Sequence, residues 1–283
     1  MPAKATEKLI QVNPIETNEL TAALIGESPL ILNRPARKAW EQLLLPSGRK
    51  NAAARESSLK HNPLEEYRAS PYCISDESAP TLLAVMASAF KGAMMTAALD
   101  LPGTNKSQIG RLLYVVGEHV PVWGVPQLVM SVTRSADINR TPDIRTRAIV
   151  PRWASLIEIR HVRTLVNEMS VWNLLTAAGT TAGIGDWRPE KGKGTFGRFR
   201  IVSAFDPEFV AICESGGRAA QVAALERPAC YDDDTREMLA WFEQEVVARG
   251  KRARTAVDVE ADEDVEERTN GADAEAFALG ATS

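Results

Sequence analysis

Apolar residues occur along the chain in short runs, and their spacing separates predicted helices from predicted strands. Over Pro80–Leu99 apolar side chains recur at three- and four-residue steps, which predicts a long helix that Pro102-Gly103 ends. The same spacing predicts a helix over Leu165–Ala178. We expect that helix to bury one stripe, formed by Leu165, Met169, Trp172 and Leu175. Runs typical of strands occupy residues 19–26, 112–117, 148–150, 156–160 and 199–204.

Three shorter helices are predicted at residues 36–45, 206–213 and 235–249. The order of elements is compatible with the βαββαβ plan, so the sequence predicts an α+β protein with a ferredoxin-like (RRM-like) core, a thumb-like hairpin and a glycine-rich loop. The expected organisation is a flexible N-terminus at 1–18, a ferredoxin-like domain at 19–250 and a disordered acidic tail at 251–283. Insertions are expected at about 28–78 and 133–147, the second of which is the thumb-like hairpin.

The composition, with 45% hydrophobic and 25% charged residues, is ordinary for a globular protein and excludes collagen-like and wholly disordered chains. A formal net charge of −4 disfavours nucleic acid as a partner, but this value averages unlike segments. Residues 256–283 contain nine acidic residues and one basic residue, whereas residues 1–255 contain 28 acidic and 32 basic residues. Residues 1–255 are therefore mildly basic, and the acidic residues of 256–283 make the net charge of the whole chain negative.

Three cysteines, Cys73, Cys213 and Cys230, are odd in number and widely spaced, which indicates free thiols and a reducing, cytoplasmic location. No apolar stretch is long enough to cross a bilayer, so we expect no membrane partner. The histidines lie far from the cysteines in sequence, so no metal site is expected. The sequence also contains no Walker loop and no dinucleotide fingerprint, and no cofactor is expected.

Residues 179–200 combine glycines with five Lys/Arg and three aromatic residues. Glycines let backbone amides approach an anion, basic side chains neutralise phosphates, and aromatic rings stack on bases. This combination suits a nucleic-acid backbone. The alternative is a glycine-rich turn whose aromatic residues, Trp187, Phe196 and Phe199, lie in the core.

A second basic stretch precedes that segment. From Arg134 to Arg200 the chain contains 12 basic and six acidic residues, and all but two of the basic residues are arginine. Arginine binds phosphate bidentately and stacks on bases, which supports nucleic-acid binding. Such runs also form ordinary solvated faces, and this alternative stays open for any single arginine.

The segment from Gly183 to Phe199, which runs directly into a strand, resembles the G-rich loop of the RAMP superfamily of CRISPR-associated proteins. Ala79–Met94 resembles the first-helix signature of that family, a proline-led run that ends in Lys91-Gly92 and a hydrophobic residue. The resemblance covers about residues 20–205 and is greatest to the backbone subunit of effector complexes. It implies a ferredoxin-like domain whose G-rich loop contacts guide RNA, and a subunit that assembles along that RNA.

The expected function is therefore a non-catalytic RNA-binding subunit, a homo-oligomer along single-stranded RNA that also binds other subunits. The predicted contacts of the loop backbone are Gly183, Gly185, Gly192, Gly194 and Gly197. The predicted side-chain contacts are Lys91, Arg134, Arg140, Arg145, Arg147, Arg152, His161, Arg163, Trp187, Arg188, Lys191, Lys193, Phe196 and Arg198.

Three alternatives stay open: a phage or mobile-element protein that binds or anneals single-stranded DNA, an RNA-processing endonuclease, and a structural protein of a particle. Among the histidines only His161, between Arg160 and Arg163, suggests acid–base chemistry on a phosphodiester. A structural or phosphate-contacting role suits His161 better, and Asp137 and Asp143 are typical of loop turns. We therefore expect no catalytic residue.

Overall fold

A computed structural model describes residues 14–35, 44, 61–134 and 142–248. The strands are β1 (Thr17–Gly26), β2 (Leu30–Ile31), β3 (Tyr72–Cys73), β4 (Leu83–Met86), β5 (Leu113–Val115), β6 (His119–Trp123), β7 (Gln127–Arg134), β8 (Pro142–Val150), β9 (Ala154–Val162) and β10 (Phe199–Val202). The helices are α1 (Pro63–Ala69), α2 (Ala87–Ala97), α3 (Lys106–Leu112), α4 (Glu168–Ala177), α5 (Pro207–Ser215), α6 (Arg218–Glu226) and α7 (Asp233–Ala248).

The chain divides into two compact units. The described residues of the first unit are 14–34, 71–127 and 148–229, and those of the second are 35, 44, 61–70, 128–134, 142–147 and 230–248. In the first unit a seven-stranded sheet has the order β10-β1-β9-β6-β4-β3, and β5 also pairs with β9. Neighbouring strands of this sheet run antiparallel to one another.

The strands of a βαββαβ core are identifiable within this sheet. β1 is the first strand of this plan, and β5 with β6, which follow α2, together take the second place. β9 is the third strand, and β10, which follows α4, is the fourth. They lie in the order fourth, first, third, second across the sheet. The predicted fold class is confirmed: the protein is α+β, with antiparallel sheets and several helices compatible with a ferredoxin-like core with insertions.

The core of the first unit packs on both faces of β1. Ala23 and Ile25 pack with Phe209 and Ile212 of α5 on one face. On the other side of the unit Phe199 lies edge-on to Phe90 of α2 and to Trp153, with ring centroids 5.7 and 6.3 Å apart. This arrangement places the end of α4 beside the start of β10, and the glycine-rich segment joins these two elements.

The second unit contains helices α1 and α7, β7 and the first part of β8. The N–H of Met130 donates to the hydroxyl of Thr235 in α7 at 3.1 Å, and the N–H of Tyr231 donates to the carbonyl of Leu128 at 2.8 Å. β7 and β8 are neighbours in a three-stranded sheet with β2. They form the two arms of the hairpin predicted at 133–147, whose residues 135–141 lie outside the described part of the chain.

The structure corrects several predicted elements. The predicted helix at Pro80–Leu99 is wrong in its first part, since Leu83–Met86 forms β4 and only Ala87–Ala97 is helical. Leu83, Ala84 and Val85 are all buried, and an apolar run of this length does not distinguish a buried strand from a helix turn. The predicted stripe of α4 is right for Leu175, which is buried, but wrong for Leu165 and Met169, which are exposed. Val171 and Leu174 are buried instead.

Other elements differ in extent or were not predicted. Strand 112–117 is shorter than predicted, since α3 continues to Leu112 and β5 covers only Leu113–Val115. Helices α1, α3 and α6 had no counterpart in the sequence prediction. The helix predicted at 36–45 lies outside the described residues except for Leu44.

Candidate nucleic-acid interface

The glycine-rich segment is a closed loop within the first unit. After α4 a π-helical turn, Ala178–Ala182, leads into it, and Ile184 is buried at 1% exposure. The N–H of Ile184 donates to the carbonyl of Gly197 at 3.0 Å, and the N–H of Gly197 donates to the carbonyl of Pro29 at 2.8 Å. The two ends of the loop are therefore bonded to each other and to the segment before β2.

Trp187 has an unusual backbone conformation within this loop. Its φ is +54°, the one positive value among the described non-glycine residues, and its side chain is 43% exposed. A bulky residue in this region costs about 1–3 kcal/mol and persists only where its surroundings impose it. Here the carbonyl of Trp187 accepts the N–H of Phe196 at 3.2 Å. The loop therefore holds a large aromatic ring out towards solvent.

Close backbone contact explains why glycine is needed beside Trp187. A Cβ on Gly194 would overlap the carbonyl group of Trp187, so only glycine allows the two backbone segments to touch. Gly183, Gly185 and Gly197 likewise lie against backbone or proline atoms. Gly192, with φ of +94°, has no atom within 4 Å of its Cβ position and lies open. Most glycines predicted to contact a ligand thus serve the packing of the loop itself.

Arg188 is bonded within the loop. Its Nη1 donates to the carbonyl of Gly185 at 2.8 Å, and its Nε and Nη2 each lie 2.7 Å from Oε2 of Glu190. The hydroxyl of Thr96, near the end of α2, donates to Oε1 of Glu190 at 3.1 Å. Burial by itself would raise the pKa of Glu190. The hydrogen bonds and charge of Arg188, with the hydrogen bond from Thr96, outweigh burial, so the pKa of Glu190 lies below its ordinary value. Glu190 is thus held ionised between the loop and α2.

Two lysines follow this network at the loop surface. Lys191 ends a 3-10 turn, Pro189–Lys191, and its charge lies near Glu190. Lys193 is exposed, and among the described residues it has no acidic group within ion-pair distance. An exposed aromatic ring and two exposed ammonium groups within seven residues provide a stacking surface with adjacent positive charge.

The remaining aromatic and basic residues of the segment are less accessible. Phe196 is half-buried, and Phe199, for which the sequence left stacking and core roles open, is a core residue with 1% exposure. Arg198 pairs with Glu27 at 3.0 Å, and its N–H donates to the hydroxyl of Ser28 at 3.0 Å. Arg198 therefore fastens the end of the loop to the chain after β1.

Predicted contacts elsewhere in the first unit are dispersed. Lys91 lines a cavity of about 240 Å³ at the start of α2, together with Ser88 and Glu118. Arg163 lies 3.2 Å from Glu16, and Arg152 lies 3.7 Å from Glu208. Arg152 and Arg163 thus each lie beside a glutamate, which reduces their positive potential.

His161 was the one histidine that the sequence suggested for phosphodiester chemistry. It is buried in β9 at 1% exposure, and its Nδ1 has no hydrogen-bond partner among the described residues. Its side chain lies inside the unit, so a contact with nucleic acid there would require β9 to rearrange. The burial of His161 follows from its place in the inner strand β9, between β1 and β5.

The basic residues of the hairpin belong to the second unit. Arg145 lies 3.5 Å from Asp143, and Arg147 is half-buried with partners of its own. Arg140 and the side chain of Arg134 lie outside the described part of the chain. Within the first unit the structure brings Trp187, Arg188, Lys191 and Lys193 together in one loop.

The sequence prediction did not include the acidic partners of these basic residues. Glu16, Glu27 and Glu208 come from other segments, and each pairs with an arginine of the 134–200 stretch. Thr96 was missed because its contact with Glu190 spans 94 residues. Glu190 stands two residues after Arg188, a spacing that could have indicated their ion pair.

Within the described residues no group of three or more His, Cys, Asp or Glu side chains is placed to hold a metal ion. No helix of that part of the chain is both long enough and apolar enough to cross a bilayer.

Comparison with known proteins leaves the family open. No family model matches the chain, and no curated protein matches it. Among solved structures, Cmr6 from Pyrococcus furiosus is similar with a TM-score of 0.34 and 9% sequence identity, over 66% of this chain and 98% of that one.

Proposed function

We propose that this protein is a non-catalytic RNA-binding subunit that assembles along a single-stranded guide RNA through its glycine-rich loop. The observation that carries the proposal is Trp187, an exposed indole ring in a left-handed backbone conformation that its own loop imposes. A conformation that costs free energy yet is held this firmly is typical of a functional site.

The surroundings of Trp187 support the same proposal. The exposed Lys191 and Lys193 supply charge for phosphates, and the indole supplies a flat face for a base. The resemblance of Gly183–Phe199 to the G-rich loop of RAMP proteins, placed between the last helix and the last strand of the core, supports RNA as the ligand. Assembly along the RNA, with further subunits as partners, rests on that resemblance.

The test is binding of a labelled single-stranded RNA by fluorescence anisotropy, with DNA of the same sequence as competitor. We expect Trp187→Ala to weaken binding by about fivefold to 150-fold, the range that removal of one stacked base gives. Trp241→Ala, which removes another exposed tryptophan (59%) in α7, is the matched control and should leave affinity unchanged. Equal affinity of wild type and Trp187→Ala would refute the proposal.

Two further readouts examine the finer parts of the proposal. Lys191→Ala with Lys193→Ala should reduce the slope of log affinity against log salt by about one for each phosphate that is no longer neutralised. Tighter competition by DNA than by RNA would favour the single-stranded DNA-binding alternative, since only a reader of the 2′-hydroxyl prefers RNA. Appearance of cleaved RNA would contradict the non-catalytic assignment.

A further inference from the structure

Arg188 has the side-chain chemistry of a phosphate ligand, but its hydrogen bonds lie within the protein. One nitrogen of the guanidinium group bonds to the carbonyl of Gly185, and two lie 2.7 Å from the carboxylate of Glu190. The bond to Gly185 closes a short turn around Asp186 and Trp187, so it spans the residue with positive φ. Glu190 is in turn bonded to Thr96 of α2, an element of the core.

We propose that Arg188 is a positioning residue, which together with Glu190 and Thr96 fixes the orientation of Trp187 and does not itself contact phosphate. This inference rests on the proposed function of Trp187. A guanidinium group that is bonded to a carboxylate and a carbonyl would have to break those bonds to reach a phosphate. The same bonds oppose the return of Trp187 to an ordinary backbone conformation.

Salt dependence separates a positioning role from a phosphate contact. Arg188→Ala should weaken binding of single-stranded RNA by about fivefold or more because stacking is impaired, with the salt slope unchanged. A direct phosphate contact predicts instead that the slope falls by about one. Glu190→Gln keeps the size of the side chain but weakens the hold on Arg188, and it should also weaken binding. Tighter binding by Glu190→Gln would mean that a released Arg188 contacts phosphate and would overturn the inference.

A readout without ligand makes the inference independent of the proposed function. The indole N–H signal of Trp187 in a ¹H–¹⁵N spectrum is assigned as the one that Trp187→Phe removes. Arg188→Ala and Glu190→Gln should shift or broaden it, and Thr96→Val should do so less. Arg200→Ala, which removes an arginine paired with Glu208 at 2.9 Å, is the control and should leave the signal in place. An unmoved signal in Arg188→Ala refutes the inference, whereas wild type that binds no nucleic acid refutes only the proposed function.

A separate cluster in the second unit carries a second inference. His61, just before α1, has its Nδ1 2.7 Å from Oε1 of Glu66 and its Nε2 3.0 Å from Oδ1 of Asp143 in β8. The other oxygen of Glu66 accepts the N–H of Thr146 in β8 at 3.3 Å, and Arg145 lies 3.5 Å from Asp143. An ionised carboxylate only accepts hydrogen bonds, so both ring nitrogens can bond only when both carry a proton.

We propose that protonated His61 is a pH-dependent clasp that ties α1 to the hairpin arm β8. Neutral imidazole donates through one nitrogen only, so deprotonation breaks one of the two bonds and loosens the arm that bears Arg145 and Arg147. Among the described residues, the charged groups against His61 are Glu66 from α1 and Asp143 from β8, with Arg145 beyond Asp143. His61 is only 18% exposed at its side chain, so water replaces the broken bond poorly.

The direction of the pKa shift fixes the sign of the pH dependence. The hydrogen bond to Glu66 raises the pKa of His61, burial lowers it, and the charge of Glu66 with the bond and charge of Asp143 raise it further, so the pKa lies above 6.5. A raised pKa in the folded state means that the clasp contributes its full stability below about pH 6.5. That contribution is lost as the pH rises through the folded-state pKa.

Hydrogen exchange of the full chain between pH 5.5 and 8.5, corrected for intrinsic amide rates, tests the clasp. Protection of amides in 143–150 should fall severalfold across this range in wild type, and His61→Gln should have a flat profile at the lower level. Asp143→Asn should shift the fall to lower pH. His119→Gln, at a histidine 4.0 Å from the exposed Glu118, is the control and should retain the wild-type profile. Identical profiles for wild type and His61→Gln would refute the clasp.

Discussion

Gly194 illustrates how one residue without a side chain determines the position of a functional one. Its Cα approaches the Trp187–Arg188 backbone so closely that a Cβ would overlap the carbonyl group of Trp187. From the sequence, this glycine was predicted to let an anion approach the backbone, but here the backbone that approaches is the protein's own. The same residue type at the same position thus has a structural reason that spacing alone does not reveal.

We expect Gly194→Ala to lower the free energy of unfolding by about 1–3 kcal/mol, because an added methyl group overpacks the loop. It should also displace the Trp187 indole signal and weaken RNA binding in parallel. Gly92→Ala is the matched control, since Gly92 lies within α2 and no atom lies within 4 Å of its Cβ position. That control should raise stability by up to about 1 kcal/mol through helix propensity. Thermal unfolding measures both, and a neutral Gly194→Ala would contradict the close approach.

At the scale of elements, α6 is bonded to the ends of two inner strands of the large sheet by one side chain of its first turn. Gln221 is fully buried, and its oxygen accepts the N–H groups of Leu82 and Leu83 at 2.7 and 2.9 Å. Its amide nitrogen donates to the carbonyls of Val122, Gly124 and Gly216 at 2.7–3.1 Å. One side chain therefore completes the backbone hydrogen bonding at the ends of β4 and β6.

Removal of this side chain leaves several buried backbone groups without partners. We expect Gln221→Ala to lower the free energy of unfolding by at least about 3 kcal/mol, since each unsatisfied group costs about 1–3 kcal/mol. Gln221→Glu should be similarly harmful at neutral pH, because its carboxylate faces three carbonyl oxygens, and less harmful at acidic pH, where a protonated acid donates once. Urea unfolding at pH 4.5 and 7.5 measures both variants. A decrease below about 1 kcal/mol in Gln221→Ala would contradict the hydrogen-bond network.

The elements that the sequence predicted well are those whose pattern is local. The apolar run closed by glycine at residues 19–26 and the alternation at 199–204 predicted β1 and β10 within two residues at each end. The segment 206–213 predicted α5 similarly. β4 was missed because its successive residues Leu83, Ala84 and Val85 are all buried, so both faces of the strand are covered and its apolar run shows no alternation. The predicted buried stripe of α4 was wrong at two residues, because Leu165 lies before the helix begins and Met169 faces outwards.

The candidate site was predictable in part for the same reason. The glycine-rich segment with its tryptophan and lysines follows from composition, whereas the exposure of Trp187 and the bond from Thr96 to Glu190 depend on how the loop and α2 pack. Side-chain pairs that are far apart in sequence leave no periodic signal. Arg188 was accordingly assigned to a ligand, although the partners of its guanidinium group are a carbonyl and a carboxylate of its own loop.

At the scale of the whole molecule, the charge of the basic stretch is lower at the surface than its residue count suggests. Arg152, Arg163, Arg198 and Arg200 each lie beside a glutamate contributed by another segment. These pairs are partly exposed, so each contributes little to stability, but each reduces the local positive potential. Lys191 and Lys193 are both exposed at the loop surface. Because the paired arginines contribute less positive potential, the attraction of this surface for an anion is sensitive to other charge on the same chain.

The acidic tail is the largest such charge, with nine acidic residues and one basic residue in 256–283. We propose that it competes with nucleic acid for the basic loop, since a tethered polyanion has a high effective concentration. Deletion of residues 256–283 should therefore tighten RNA binding at low salt and steepen its salt dependence, with both differences shrinking above about 0.3 M salt as screening increases. Anisotropy titrations at several salt concentrations measure this.

A tail of the same length with its acidic residues changed to Asn and Gln separates charge from length. It should bind RNA as the deletion does, because charge and not bulk is the competitor. Trp187→Ala combined with the deletion should lose affinity by the same factor as in the full chain, since stacking does not depend on the tail. If both the deletion and the neutral tail leave affinity and salt slope at the wild-type values, the tail does not reach the loop, and the mildly basic body alone determines the attraction for RNA.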